Sequence, residues 1–520
     1  MKRIFRLTAL ILAALLLFAL MGCSKDRSGD VQESNEQKSD AEENAAPESG
    51  TQESDTQEAG VLSDGIYQIA VTLTGGTGKA SVASPARLTV RNGKMTAAIV
   101  WSSANYDYML VDEVRYEAEI IDGHSVFSIP VAALDTELPV IADTVAMSVP
   151  HEIAYTLRFD SSSIKEEEAP EWSSLSPEKE LELRYATQFR VTEYTGGYQL
   201  AEIDTAGRFL IIPEGEALPA GLPEDIVPMY QPLQRMYLAA TSAMDFFRAL
   251  QSIDSIRLSG TDTDGWYIQE AKDALNDGSM LFAGKYNAPD FELIFSEQCD
   301  LAIESTMIYH SPEIKEQLEK LGVPVLVERS SYEEHPLGRM EWIKFYGTLL
   351  GKEKEAVTIF DAEAAAVEAL EGQSKTGKTA AFFYINAAGT VNVRKSDDYV
   401  PRMIDMAGGE YVFSDLESGS ALSTVNMTME AFYDGAKNAD VLIYNSTIDG
   451  ELQTMDELLA KSPLLSNFKA VKSGDVWCTG KNLFQEPMGL GRLILDMHQI
   501  LTGEVPEDGE LTYMHKLLIP

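Results

Sequence analysis

The stretch from Val325 to Leu370, VLVERSSYEEHPLGRMEWIKFYGTLLGKEKEAVTIFDAEAAAVEAL, constrains the fold of this chain more than any other. A short apolar strand gives way to a polar loop at Ser330–Arg339, where Pro336 and Gly338 interrupt any regular pattern. Trp342, Phe345, Tyr346, Leu349, Leu350, Ala356 and Phe360 then recur at near-helical spacing, which predicts one long helix that stops at Gly372. On either side lies a segment of lobe size in which apolar strands alternate with amphipathic helices. The helix therefore reads as a strut between two α/β lobes, with a small-ligand cleft between them.

A chain of 520 residues is long for one core, and 45% hydrophobic residues are enough to fill two or three. The 82 Asp and Glu outweigh the 41 Lys and Arg, for a formal net charge of -41. Such a surface repels nucleic acid and offers no basic face to anionic lipid.

The first residues give an address. Lys2, Arg3 and Arg6 precede an apolar run from Leu7 to Met21, too short to span a bilayer comfortably. It ends in Leu20-Met21-Gly22-Cys23, which resembles a bacterial lipobox and implies that residues 1–23 are a lipoprotein signal with Cys23 as the lipidated residue. Residues 24–60 are rich in Ser, Glu, Gln, Asp and Ala and are expected to be a disordered acidic tether. Only Cys299 and Cys478 remain, which is too few for a disulfide framework.

Residues 61–160 hold β-rich runs such as YQIAVTL, ARLTV, KMTAAIVW and EIAYTLRF, separated by turn residues, and predict an all-β sandwich. Its segments WSSANYDYM and VAMSVPHEI resemble, in general arrangement, the small β-sandwich modules that Gram-positive bacteria use near iron transporters, haem-binding ones included. That resemblance makes Tyr106, Tyr108, Met109, Met147 and His151 candidate haem contacts, although strand alternation places Tyr106 and Tyr108 on one face and Met109 on the other. A charged connector, 161–185, follows.

The remainder reads as a first lobe at 186–340, the interlobe helix at 341–372 and a second lobe at 373–520. From Met236 onward four stretches carry a resemblance: the Ala-Thr-Ser-Ala turn and its helix at 239–250, Gly284–Thr306, the strand at Leu321–Val327, and the ending SPLLSNFKAVKSGDVWCTGKNLFQEPMGLGRLILDMHQIL. They resemble the substrate-binding proteins of ABC importers for iron complexes, haem and corrinoids, a class with one rigid interlobe helix. The resemblance implies an α/β two-lobed binding protein rather than an enzyme, monomeric and lipid-anchored outside the cell membrane. It would have no intrinsic cofactor; its ligand would be an iron complex, haem or corrinoid, and its partner an ABC permease with its ATPase. A surface haem-capturing or adhesive lipoprotein without its own permease is the alternative.

In that family one glutamate on each lobe meets permease arginines. Glu292 and Glu430 fit the role, each at the start of a short helix before a parallel strand. Candidate cleft residues flank the strut and the tips of lobe strands: Tyr309, His310, Tyr332, His335, Arg339, Tyr399, Arg402, Gln485 and Arg492. Arginine and tyrosine suit a ligand with carboxylates and a flat body. The run Gly372-Gln-Ser-Lys-Thr-Gly377-Lys378-Thr379 spells a phosphate-binding loop, yet it stands after a helix and before a strand, the reverse of what that chemistry needs. The six histidines show no metal or catalytic spacing.

Overall fold

The computed structural model describes residues 62–91, 93–145, 151–370, 374–416, 424–506 and 511–519. The expected signal, tether and Cys23 lie outside the described residues, as do Met147 and Gly372.

Alternating apolar residues build nine strands: β1 Gly65–Gly75, β2 Ala86–Arg91, β3 Lys94–Val100, β4 Tyr106–Val111, β5 Val114–Glu117, β6 Glu119–Ile121, β7 His124–Val131, β8 Glu137–Thr144 and β9 His151–Glu166. They form one antiparallel sheet in the order β5-β4-β8-β9-β1-β2-β3-β7-β6. Its two outer strands are consecutive in the chain, with only Ala118 between them. The segment 114–121 pairs with β4 through its first half and with β7 through its second, so the sheet rolls nearly closed. Ile69, Leu88, Ile99, Trp101, Phe127, Leu157 and Phe159 fill the interior. The all-β module is present as a single rolled sheet in place of two stacked ones, because a strand that changes partner halfway leaves no open edge. β9 also continues to Glu166, past the expected boundary at 160.

A second sheet follows, β10 Pro177–Glu180, β11 Phe189–Tyr194, β12 Gln199–Ile203, β13 Gly207–Ile212 and β14 Ile226–Tyr230, antiparallel except for the last pair. The expected connector thus contributes strand at both ends. Arg87 of β2 pairs with Glu167 and with Glu216, at 3.1 and 2.8 Å, and Arg91 stacks 4.2 Å over Tyr230. These contacts fasten the barrel to the second sheet.

The first lobe is a parallel sheet in the order β17-β16-β15-β20-β21. Its strands are β15 Met236–Leu238, β16 Ile256–Ser259, β17 Leu281–Phe282, β20 Leu301–Ser305 and β21 Val325–Glu328; a small hairpin, β18 Gly284–Lys285 with β19 Ala288–Pro289, lies between β17 and β20. The helices α1 Met244–Ala249, α2 Gln269–Asp277, α3 Phe291–Ser296 and α4 Pro312–Lys320 alternate with the strands.

The strut differs from the sequence reading. Helices α5 Pro336–Glu341 and α6 Ile343–Leu350 join through Trp342, but Gly351 adopts φ +66°, the left-handed conformation glycine enters without strain. The Lys352 N–H then closes on the Gly347 carbonyl at 2.7 Å, and α7 Glu353–Glu368 starts afresh. A side chain at Gly347 would meet the Ala356 methyl at 2.6 Å, so the bend needs glycine at both places. The long interlobe helix is therefore α7, 16 residues, rather than an unbroken 341–372.

Two buried carboxylates hold the chain leading into the lobes against this bend. Glu341 accepts the N–H groups of Arg184, Tyr185 and Ala186 and the Lys344 ammonium, all within 3.0 Å. Glu333 accepts from the Thr187 and Gln188 N–H groups and the Trp342 indole. Charge-assisted bonds of this number fix the junction of the expected connector and the first lobe.

The second lobe has the sheet order β25-β23-β22-β26-β27-β28, from β22 Thr379–Ile385, β23 Val391–Arg394, β25 Thr424–Met427, β26 Val441–Tyr444, β27 Val476–Thr479 and β28 Met514–Lys516, with β24 Glu410–Tyr411 also on β22. Helices α8 Tyr399–Met406, α9 Met429–Ala436, α10 Ser446–Asp449, α11 Met455–Lys461, α12 Lys469–Ser473 and α13 Leu490–Thr502 complete it. Lys378 leads directly into β22, so the glycine-lysine run precedes a strand, and its Lys375 and Thr376 bond to Asp405 and Gly408 at the C-terminal end of α8. One hydrophobic cluster runs through the second sheet, both lobes and the strut, while the barrel keeps its own.

Candidate functional site

In open parallel sheets, ligands bind beyond the carboxyl ends of the strands. Here the loops leaving those ends carry large apolar side chains that the core does not cover. In the first lobe these are Tyr267 after β16, Met307 and Tyr309 after β20, and Tyr332 after β21; in the second they are Ile448 after β26 and Phe484 after β27. Tyr309 and Tyr332 are 47% and 45% exposed. Their common position at strand ends marks a surface suited to an apolar or aromatic ligand. Arg329 stacks 4.2 Å over Tyr332, whose hydroxyl donates to Thr306 at 3.2 Å, which fixes the rim of the first lobe.

The lobes touch at the same end. The Tyr267 and Phe484 rings meet edge to face at 5.9 Å. Beside them Gln485, fully buried, accepts from the Tyr267 N–H at 2.7 Å and donates to the Gly265 carbonyl at 2.8 Å. Gln485 is thus an interlobe contact rather than a cleft side chain open to ligand.

The other expected cleft residues divide. Tyr309, His310 and Tyr332 lie on the exposed rim of the first lobe. Arg339 is buried and donates to the Tyr399 hydroxyl at 3.2 Å, so these two meet across the lobes. His335 caps α5, its Nδ1 accepting the Leu337 N–H at 3.1 Å, and stacks on Tyr185 at 4.5 Å. Burial, helped by the nearby Arg402 charge, depresses its pKa to about 4, so it stays neutral. His335 and Arg402 line a side groove of about 990 Å³ along α8, apart from the aromatic loops. Arg492 projects from α13 and donates to Thr512 at 2.8 Å, two residues before Met514, which pairs with Thr479 at the carboxyl end of β27. Sequence reading missed Tyr267, Met307, Ile448 and Phe484; the last three stand within five residues of a strand end and Tyr267 eight, and only the strand boundaries would have singled them out.

Glu304, one residue before the Ser305 cap of the 306–310 turn, is fully buried, and among the described residues neither of its carboxyl oxygens meets a donor. Burial alone lifts its pKa to about 8, which keeps it protonated at neutral pH. Glu292 and Glu430 are both exposed, and both are the second residue of a helix whose cap accepts the N–H one residue further on: Asp290 from Leu293 at 3.0 Å, Thr428 from Ala431 at 3.3 Å. The helices lead to β20 and β26, each neighbouring the first strand of its lobe.

The barrel candidates do not converge. A bulge between Tyr106 and Met109 puts both inside, contrary to simple alternation. The Met109 sulfur accepts the Trp101 indole N–H at 3.3 Å, and Tyr106 stacks on Trp101 at 4.0 Å. Tyr108 points outward, its hydroxyl donating to Glu152 at 2.7 Å, and that bond raises its pKa to about 12. His151 is exposed at the start of β9. Among the described residues no group of three His, Cys, Asp or Glu side chains is placed to hold a metal ion, and no helix is long and apolar enough to cross a membrane.

Two α/β lobes joined by a helical strut, with strand ends facing a common junction, define the class of two-lobed binding proteins. Residues 254–483 match the family model described as periplasmic binding protein. An uncharacterized lipoprotein, MJ0878 of Methanocaldococcus jannaschii, is 25% identical over 322 residues, covering 58% of this chain and 74% of that protein. Among solved structures, the periplasmic haem-binding protein HutB of Vibrio cholerae aligns over 52% of this chain and 99% of its own, at 18% identity and TM-score 0.43. An ABC-type Fe3+-hydroxamate transport protein from Saccharomonospora viridis aligns over 52% and 93%, at 20% identity and TM-score 0.41.

Proposed function

We propose that the protein is the extracytoplasmic substrate-binding component of an ABC importer and captures an iron complex, haem or a corrinoid at the junction of the two lobes. The observation that carries this reading is the set of uncovered aromatic and apolar side chains on strand-end loops of both lobes, Tyr267, Met307, Tyr309, Tyr332, Ile448 and Phe484. Flat, polarisable ligands with apolar faces are held by such rings through stacking and burial. Arg329, stacked over Tyr332, supplies positive charge at that surface, suited to ligand carboxylates.

Cys23 would anchor the chain to the membrane, and the tether would let the domain stand off from it. Glu292 and Glu430, equivalent on the two lobes, would meet arginines of the permease. Charge reversal at both is expected to abolish uptake while leaving ligand affinity unchanged. The direct test is titration of the purified protein with haemin, a ferric hydroxamate and cyanocobalamin, followed by tryptophan fluorescence and ligand absorbance. Saturable binding of one class, at about 1 μM or tighter, supports the reading; no saturation by any of the three contradicts it.

A further inference from the structure

We infer that Gln485 is a positioning residue, a clasp that holds Tyr267 of one lobe and Phe484 of the other together as a single edge of the binding surface. The inference rests on the binding-protein reading for its purpose, and on hydrogen bonding for its existence.

A primary amide has one acceptor and one donor end, and here each is used on the opposite lobe, by the Tyr267 N–H at 2.7 Å and the Gly265 carbonyl at 2.8 Å. The side chain is fully buried, so no water competes for either bond. Both halves of the clasp are braced from behind. In the first lobe, Asp262 caps the 263–265 turn by accepting the Gly265 N–H at 3.0 Å. The buried Trp266 donates its indole N–H to Ser259 and to the Thr261 carbonyl, both at 3.1 Å. In the second lobe, Tyr513 donates to Glu486 at 2.7 Å, and Asn482 donates to the same carboxylate at 3.1 Å. Three residues beyond Gln485, the Met488 N–H reaches Asp245 of α1 at 2.8 Å, and Arg248 pairs with that carboxylate, so a second bond crosses between the lobes next to the first.

The adjoining rings, Tyr267 and Phe484, remain half exposed although they touch. A composite edge of this kind keeps its shape only while the lobes keep their angle. The strut alone does not guarantee that, because it bends at Gly351. The clasp therefore supplies what one continuous helix would have supplied.

The experiment reads lobe geometry and binding separately. Spin labels on Glu313→Cys and Asp434→Cys, exposed positions on the two lobes, report the interlobe distance in a Cys23→Ser background. The native Cys299 and Cys478 are buried, with pKa values pushed up to about 12, and label slowly. Gln485→Leu removes both bonds; Gln485→Glu keeps the size and the acceptor but sets an oxygen against the Gly265 carbonyl. Both variants are expected to broaden the distance distribution, with circular dichroism unchanged, and to weaken binding of whichever probe the wild type takes, among haemin, a ferric hydroxamate and cyanocobalamin, by about tenfold. A distribution as narrow as wild type in both variants overturns the clasp. If the wild type binds none of the three probes, the functional reading fails while the distance measurement still decides on Gln485.

Discussion

The barrel and the lobes use the same kinds of side chain in opposite ways. In the barrel, Trp101, Tyr106, Met109 and Tyr155 are packed against one another inside a rolled sheet, with ring centroids 4.0 to 5.1 Å from Trp101. In the lobes, Tyr267, Met307, Tyr309, Tyr332 and Phe484 are left uncovered at the ends of strands. A closed sheet turns half of every strand toward one interior, so its aromatic residues become core. An open parallel sheet ends in loops that nothing obliges to be covered, so its aromatic residues are available to a ligand. Residue type alone therefore does not separate core aromatic residues from uncovered ones; topology does.

The largest expected effect comes from striking the barrel interior. Trp101→Ala empties a fully buried site and should cost about 3–5 kcal/mol, read as a lower thermal midpoint, while ligand binding below that midpoint stays at wild-type strength. Loss of binding with the lobes still folded would erase the distinction between the regions.

Each region also buries a carboxyl group: Asp143 in β8, which lies against Asp107 and the His151 backbone, and Glu304 in β20, which meets no donor among the described residues. For Glu304 the folded pKa of about 8 stands above the ordinary glutamate value of 4.5. A raised carboxyl pKa gives stability that is full below about pH 4.5 and lost as pH rises through 8. Glu304→Gln should abolish this slope, which for a shift of this size is at most about 5 kcal/mol, and so raise stability at pH 8.5 relative to wild type. Equal melting curves for the two proteins across that range would show Glu304 to be solvated in solution.

A smaller effect is expected at the lobe junction. Tyr267→Ala with Phe484→Ala should weaken ligand binding by about 10- to 100-fold through lost stacking, with little change in the thermal midpoint because both rings are half exposed. The smallest effect belongs to Tyr108→Phe on the outside of the barrel. Its bond to Glu152 is exposed, and the substitution should leave both stability and haemin binding unchanged.

Much of this architecture was legible in the sequence. The strand-helix alternation from Met236 onward, the equivalence of Glu292 and Glu430, and the β-rich first module all follow from local patterns. The bend at Gly351 was legible too, since Leu350-Gly351-Lys352 has the form of a helix end, but the apolar spacing on either side masked it. Other features were beyond local reading. The bulge that turns Tyr106 and Met109 inward depends on pairing with β8. The capture of the 184–188 backbone by Glu333 and Glu341, and the reach of Gln485 across 220 positions to Gly265, are long-range bonds with no signature in spacing.

Hydrogen–deuterium exchange with and without the bound probe tests most directly whether the lobes, and not the barrel, take the ligand. The expected result is added protection in the loops at 263–267, 306–310, 329–335, 446–448 and 481–485, with strands β4, β8 and β9 unchanged. Protection confined to 106–109 and 151–155, with those loops exchanging as before, would contradict it and return ligand capture to the barrel.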